Sequence, residues 1–165
     1  METQIEKETK NIRIGFVGTG WIGRNRMAGV LSEPFIHPVA IVDPDDAQAI
    51  EALSISSDCI RCDTLQDLLE QRPDAIVIAT PSAMHAEQSI QALESGCAVF
   101  CQKPLGRNSK ECFQVIETAK KNDLTLGVDL SYRWIEGVRI ARSIIKNNEI
   151  GTVFSVDCCF HNAYG

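Results

Sequence analysis

Basic residues never gather into a run in this sequence of 165 residues. Sixteen lysines and arginines lie scattered among 22 acidic residues, for a net charge of −6, which argues against a DNA or RNA partner. Long apolar runs are missing too. The longest, such as Ala75-Ile76-Val77-Ile78-Ala79, fall far short of the roughly 20 residues that a bilayer span needs. Residues 1–10 mix both signs of charge and lack the apolar stretch of a secretory signal, so a soluble, cytoplasmic protein without membrane attachment is expected. A second close-spaced cysteine pair is also absent. Of the seven cysteines, Cys59 and Cys62 alone have the two-residue spacing, whereas Cys97 and Cys101 are wider apart and Cys158 and Cys159 adjoin. A structural zinc site takes four ligands, commonly from two such pairs, and an odd count cannot close a full set of disulfides. No metal is expected, and the thiols read as free. Internal repeats and low-complexity segments do not occur.

What is present is ordinary globular material, 44% hydrophobic and 23% charged, with enough length for its own core. Strand-like and helix-like segments alternate from the start. Residues 12–17 make a short, mostly apolar strand that runs into glycines, and residues 22–31 read as a helix closed by Ser32 and Pro34. A strand at 39–42 precedes a helix through Leu53 that Asp45 or Asp46 can cap. A weak strand at 59–61 leads to a helix at 64–70, where Thr64 and Asp67 form a partial capping box. Residues 75–79 are apolar throughout, as in a strand buried in a parallel sheet. A helix at 82–94 then ends at Gly96, followed by a strand at 98–101, a helix at 109–122 and a strand at 125–128. This alternation predicts an α/β fold with right-handed crossovers and a doubly wound parallel sheet. Later the rhythm changes to a helix at 137–147, a turn at 149–151 and an alternating segment at 152–160 that suits a half-exposed antiparallel strand. The expected organisation is a polar arm at 1–10 and a dinucleotide-binding domain at 11–130. Residues 131–165 would form a connecting helix and the first strand of a second, truncated α/β domain.

Gly18-Thr19-Gly20-Trp21-Ile22-Gly23 fits G-x-G-x-x-G between a predicted strand and a predicted helix. In that context Gly18 permits the turn, Gly20 lets the backbone approach a pyrophosphate, and Gly23 lets helix pack on strand. The N–H groups near Trp21 and Ile22 would face the phosphate charge. Asp43, about twenty residues beyond Gly23 at the end of the second strand, is placed to accept hydrogen bonds from ribose hydroxyls. No Arg or Lys follows that strand closely, and Asp45 and Asp46 add negative field, so NAD is preferred over NADP. Arg24 and Arg26, on the first helix, read as facing solvent or the pyrophosphate. A methyltransferase can also pair a glycine loop with a ribose-binding acid, but the glycine spacing favours a dinucleotide.

Three further segments, Ala79-Thr80-Pro81-Ser82-Ala83-Met84-His85, Cys101-Gln102-Lys103-Pro104-Leu105 and Asp129-Leu130-Ser131-Tyr132-Arg133-Trp134, follow the glycine loop. In order and spacing these four motifs resemble the glucose–fructose oxidoreductase and inositol dehydrogenase (Gfo/Idh/MocA) family. The resemblance implies an N-terminal Rossmann domain, a C-terminal α/β domain with an open sheet, and NAD- or NADP-dependent oxidation or reduction of a sugar, cyclitol or related polyol. It implies that Thr80 and Pro81 line the nicotinamide side of the cleft, that His85 sits near the cofactor, and that Gln102 helps to position it. It makes Lys103 the catalytic residue, between nicotinamide and the substrate hydroxyl, where an ammonium can hydrogen-bond the reacting oxygen. Tyr132 and Arg133 would border the substrate cleft.

The sequence departs from the family at several positions. Gln102 replaces the glutamate of Glu-Lys-Pro, Asp129 stands where many relatives have glycine, and Ser131 where many have asparagine. Relatives also carry an Asp and a general-base His in the C-terminal domain, in a motif that lies beyond residue 165 and that His161 does not match. The expectation is therefore the cofactor-binding part of an NAD-dependent sugar or polyol oxidoreductase, inactive alone, whose full-length form takes a small-molecule substrate and forms homo-oligomers through its C-terminal domain. The competing expectation is a non-catalytic dinucleotide-binding module, sensor or assembly subunit.

Overall fold

A computed structural model describes residues 11–159. The chain divides into two compact units between Asp129 and Leu130. In the first, six strands form one parallel sheet: β1 (Ile12–Val17), β2 (Ile36–Val42), β3 (Ile60–Cys62), β4 (Ala75–Ile78), β5 (Ala98–Gln102) and β6 (Leu126–Asp129). Their order across the sheet is β3-β2-β1-β4-β5-β6. The helices between them are α1 (Trp21–Val30), α2 (Asp46–Leu53), α3 (Leu65–Glu70), α4 (His85–Glu94) and α5 (Ser109–Lys121). The doubly wound sheet expected from the alternation is thus present, with the order reversing between β1 and β4.

Strand pleating divides the core into two layers. On one face Ile14, Phe16, Ile41 and Val77 pack with Met27 of α1 and Ala49 and Ala52 of α2. On the other, Val17, Val42, Ile76, Ile78 and Val99 pack with Leu65 and Leu68 of α3, Leu93 of α4 and Val115 of α5. Local signals set several boundaries. Asp45 caps α2 by accepting from the N–H groups of Ala47 at 2.8 Å and Gln48 at 3.2 Å. The Thr64–Asp67 capping box is complete, each side chain accepting the other residue's backbone N–H.

Most boundaries lie within one residue of expectation, and two differ by three. β2 begins three residues earlier than read, because Pro38 sits beside a register shift between Ile14 and Gly15, where the strand tolerates a residue that cannot donate. α4 begins at His85 rather than near Ser82: the chain first makes a turn in which the Met84 N–H donates to the Pro81 carbonyl at 2.9 Å.

The second unit opens with a short 3-10 turn, Ser131–Trp134, followed by α6 (Glu136–Lys146). The expected strand at 152–160 is not formed over residues 152–159, and Phe160 lies outside the described residues, as do the arm at 1–10 and His161. A strand exists only as part of a ladder, and alternation cannot supply the partner that its N–H and C=O groups need. Among the described residues no helix is long and apolar enough to cross a membrane.

Cys59, Cys62, Cys97 and Cys101 are free and buried, Cys112 is half-buried, and Cys158 and Cys159 are exposed. Burial, with a smaller contribution from Cys62, pushes the Cys59 thiol up to about 12, and burial dominates the rise of Cys101 to about 11. Cys62 and Cys97 are also raised, first by burial and then by nearby carboxylates. Since the thiolate is the nucleophile, alkylation of the folded chain followed by mass spectrometry should modify Cys158 and Cys159 well before these four. Because the folded thiols hold their protons to higher pH than unfolded ones, their contribution to stability should fall as pH rises past the ordinary thiol value. Early labelling of Cys59 or Cys101 in the folded chain would contradict the packing described.

Candidate functional site

The three glycines of the loop after β1 serve three separate needs. Gly18 has φ +81°, and a Cβ there would meet the Thr80 backbone nitrogen at 2.6 Å, so only glycine allows β1 and β4 to pass this closely. Its own N–H donates to the Val42 carbonyl at 2.8 Å. A Cβ on Gly23 would strike the Gly18 carbonyl, so this position presses α1 against the loop. Gly20 is different: a Cβ there would meet nothing within 4 Å. It occupies the N-cap of α1 with no side-chain cap, which leaves the first-turn N–H groups around Trp21 and Ile22 without a side-chain acceptor. Open space over an uncapped helix N-terminus fits a pyrophosphate, the group whose approach a Cβ would block.

Asp43 ends up in a tighter place than its sequence position implied. It is 9% exposed, and its Oδ2 accepts from the Thr19 backbone N–H at 2.6 Å and the Thr19 hydroxyl at 3.1 Å. Oδ1 accepts from the Asp45 N–H at 3.0 Å. A carboxylate has about four acceptor positions, so these three donors leave room for about one more. The carboxylate expected to serve ribose is first a brace for the glycine loop. Thr19, fully buried, was missed by the sequence reading because its position in the motif is nominally unconstrained.

The basic residues are also placed differently from expectation. Arg24 turns toward α2, donating to the Thr19 carbonyl at 2.8 Å and to the Gln48 amide oxygen and pairing with Glu51 at 2.7 Å. Arg26 reaches Asp129. No base follows β2 in sequence, but Arg61 arrives from β3, donating to the Asp43 carbonyl at 2.9 Å and to Asp46 at 2.7 Å. Strand neighbourhood across the sheet, invisible in linear spacing, puts it there. Its charge is already matched by Asp46, so it adds no free cation beside Asp43.

At the C-terminal ends of β4 and β5 a second group forms. Thr80 is half-buried and Pro81 exposed, and the Thr80 hydroxyl donates to Gln88 at 2.6 Å. His85 is 1% exposed, and both ring nitrogens lie against backbone carbonyls, Nε2 at 2.7 Å from Thr80 O and Nδ1 at 2.6 Å from Pro104 O. It therefore ties the turn after β4 to the turn after Lys103 and has no ring nitrogen left for a ligand. Gln102 is buried at the end of β5, its amide nitrogen donating to Asp129. Lys103 follows directly and is exposed, and among the described residues no hydrogen bond or ion pair engages its ammonium. The sheet thus brings together Gly18, Gly20, Gly23, Asp43, Thr80, Pro81, His85, Gln102 and Lys103 at strand C-terminal ends, around the point where strand order reverses. Tyr132 and Arg133 lie in the 3-10 turn of the second unit, both exposed.

Comparison with known proteins agrees with this geometry. Residues 12–130 match the family model for the Gfo/Idh/MocA oxidoreductase family, NAD-binding Rossmann fold. The chain is 32% identical over 155 residues to an inositol 2-dehydrogenase of Gluconacetobacter diazotrophicus, covering 90% of this chain and 45% of that protein. It is 30% identical over 148 residues to a 2,7-anhydro-N-acetylneuraminate hydratase of Mediterraneibacter gnavus, covering 87% and 38%. The crystal structure of myo-inositol 2-dehydrogenase from Lactobacillus plantarum superimposes with a TM-score of 0.78 at 27% identity, over 87% of this chain and 43% of that one. The chain spans roughly two-fifths of the length of the relatives it matches. On its glycine loop, its strand order and the family match over residues 12–130, this chain belongs to the Gfo/Idh/MocA oxidoreductases and supplies their NAD-binding Rossmann fold.

Proposed function

We propose that this chain is the cofactor-binding part of an NAD-dependent dehydrogenase acting on a hydroxyl of a sugar, cyclitol or related polyol. The observation that carries the reading is the open space at Gly20, above an uncapped helix N-terminus where the strand order reverses. NAD(H), when bound, supplies the acceptor or donor of a hydride. The first-turn N–H groups of α1 bind the phosphate charge, and the remaining acceptor position of Asp43 takes a ribose hydroxyl. Thr80 and Pro81 wall the nicotinamide end, and His85 keeps the turns after β4 and Lys103 at fixed separation. Lys103 Nζ hydrogen-bonds the substrate oxygen and stabilises its charge as the proton leaves. The inositol dehydrogenases among the relatives support a polyol substrate.

NAD should bind in preference to NADP. Two unit charges 4 Å apart repel by between about 1 and 4 kcal/mol as the surroundings change from water to a protein surface, so calorimetry should show at least about fivefold discrimination. Asp43→Ala should narrow that gap while weakening binding of both, since the buried Thr19 N–H loses its acceptor. Tighter binding of NADP by the unmodified chain would refute the assignment of Asp43.

Gly20→Val should abolish NAD binding with little change in melting temperature, because the added side chain enters open space rather than protein. Retained affinity in a variant that circular dichroism shows to be folded would remove the glycine loop from the site.

The 165-residue chain should bind NAD stoichiometrically yet show no sugar-dependent NADH production. Loss of general acid–base help alone costs about 10²–10⁴-fold in rate, and the family's general-base motif is not among these residues. Substantial turnover, followed at the absorbance of NADH, would mean that Lys103 and its neighbours suffice.

A further inference from the structure

Asp129 closes β6 directly across from Gln102 on β5. It is buried, and a single oxygen, Oδ2, accepts from two side chains, the Gln102 amide and Arg26 Nε of α1. One carboxylate therefore joins three elements: the helix whose N-terminus faces the proposed pyrophosphate position, the strand that delivers Lys103, and the last strand of the sheet.

We propose that Asp129 is a positioning residue that locks the lysine turn to α1, and that Gln102 and Asp129 act as one unit in doing so. A buried carboxylate is stable only when its charge is matched, and Arg26 supplies the match. An ionised carboxylate only accepts, so it fixes the Gln102 amide with Nε2 toward Asp129 and leaves Oε1 as the acceptor at the other end. A glutamate at 102 would set two acceptors face to face across the strand pair, like charges that are destabilising in that arrangement. Gln102 and Asp129 thus suit each other as donor and acceptor, as a glutamate and an aspartate would not. Arg26, at mid-helix on α1, carries the constraint to the glycine loop, so that the separation between the phosphate-binding turn and the Lys103 backbone is held by a charge-assisted link rather than by packing alone.

The proposal rests on the reading of Lys103 and the glycine loop as one site, and its test separates the two. Four variants of the chain, Asp129→Asn, Gln102→Glu, Arg26→Gln and the exchange Gln102→Glu with Asp129→Asn, are compared by thermal melting, by amide hydrogen exchange over residues 102–106, and by NAD⁺ titration. Each single substitution should lower the melting temperature by about 3 °C or more and speed exchange at 102–106 by about tenfold. NAD⁺ affinity should weaken about fivefold, the lower end of ordinary coupling between sites. The exchange variant, which keeps one carboxylate and one amide, should recover at least half of each loss. Arg26→Gln is decisive against a local packing effect, because it lies on α1 yet should loosen the same turn. It also stands in if Asp129→Asn does not fold. Additive losses in the exchange variant, or unchanged exchange at 102–106 in Arg26→Gln, would overturn the proposal. Failure of the unmodified chain to bind NAD⁺ would sink the dehydrogenase reading, while melting and exchange would still decide the role of Asp129.

Discussion

The site hangs on the Asp43 carboxylate and its grip on Thr19. β1 and β2 deliver two loops to the same C-terminal end of the sheet, and without a fixed contact the glycine loop would be free to sample many backbone states. Asp43 removes that freedom by accepting the Thr19 N–H and hydroxyl with one oxygen and the Asp45 N–H with the other. A buried charge unsupported by donors would be costly. Here three donors stabilise it, and the same bonds set the direction in which α1 leaves the loop.

Once that loop is held, its glycines divide the remaining work. Gly18 and Gly23 are places where protein meets protein too closely for any side chain. Gly20 is the place where protein meets nothing. The contrast separates the structural use of glycine from its proposed use at a ligand: two positions bring α1 and β4 close together, and the third leaves the helix N-terminus accessible. Among the three glycines of this loop, uncapped N–H groups and open space coincide at Gly20 alone.

Across the sheet the same logic recurs with polar side chains. His85 spans from Thr80 to Pro104, and Asp129 from Gln102 to Arg26. Each is a buried polar group with at least one partner well separated in sequence, and each fixes the spacing between a turn and a neighbouring element. Lys103 sits between these two braces with its ammonium unengaged among the described residues, a disposition that suits its proposed contact with a substrate. A rigid backbone beneath a free side chain is what positioning demands.

The amino-acid sequence by itself determined the strands, the helices and the parallel architecture, because apolar periodicity, caps such as Asp45 and Thr64, and the glycine spacing are local properties that need no partner to be read. The glycine loop and Asp43 were legible as candidates for the same reason, whereas Lys103 became a candidate through the family resemblance alone. Tertiary structure alone decided what those residues touch. Thr19 as the partner of Asp43, Arg61 beside it, the Thr80 and Pro104 carbonyls against the His85 ring and the link from Arg26 to Asp129 join residues up to 103 positions apart. Linear spacing carries no record of which strands become neighbours. The segment at 152–159 makes the converse point: its alternation is a strand's pattern, but a strand requires a paired edge, and pairing belongs to the fold rather than to the segment.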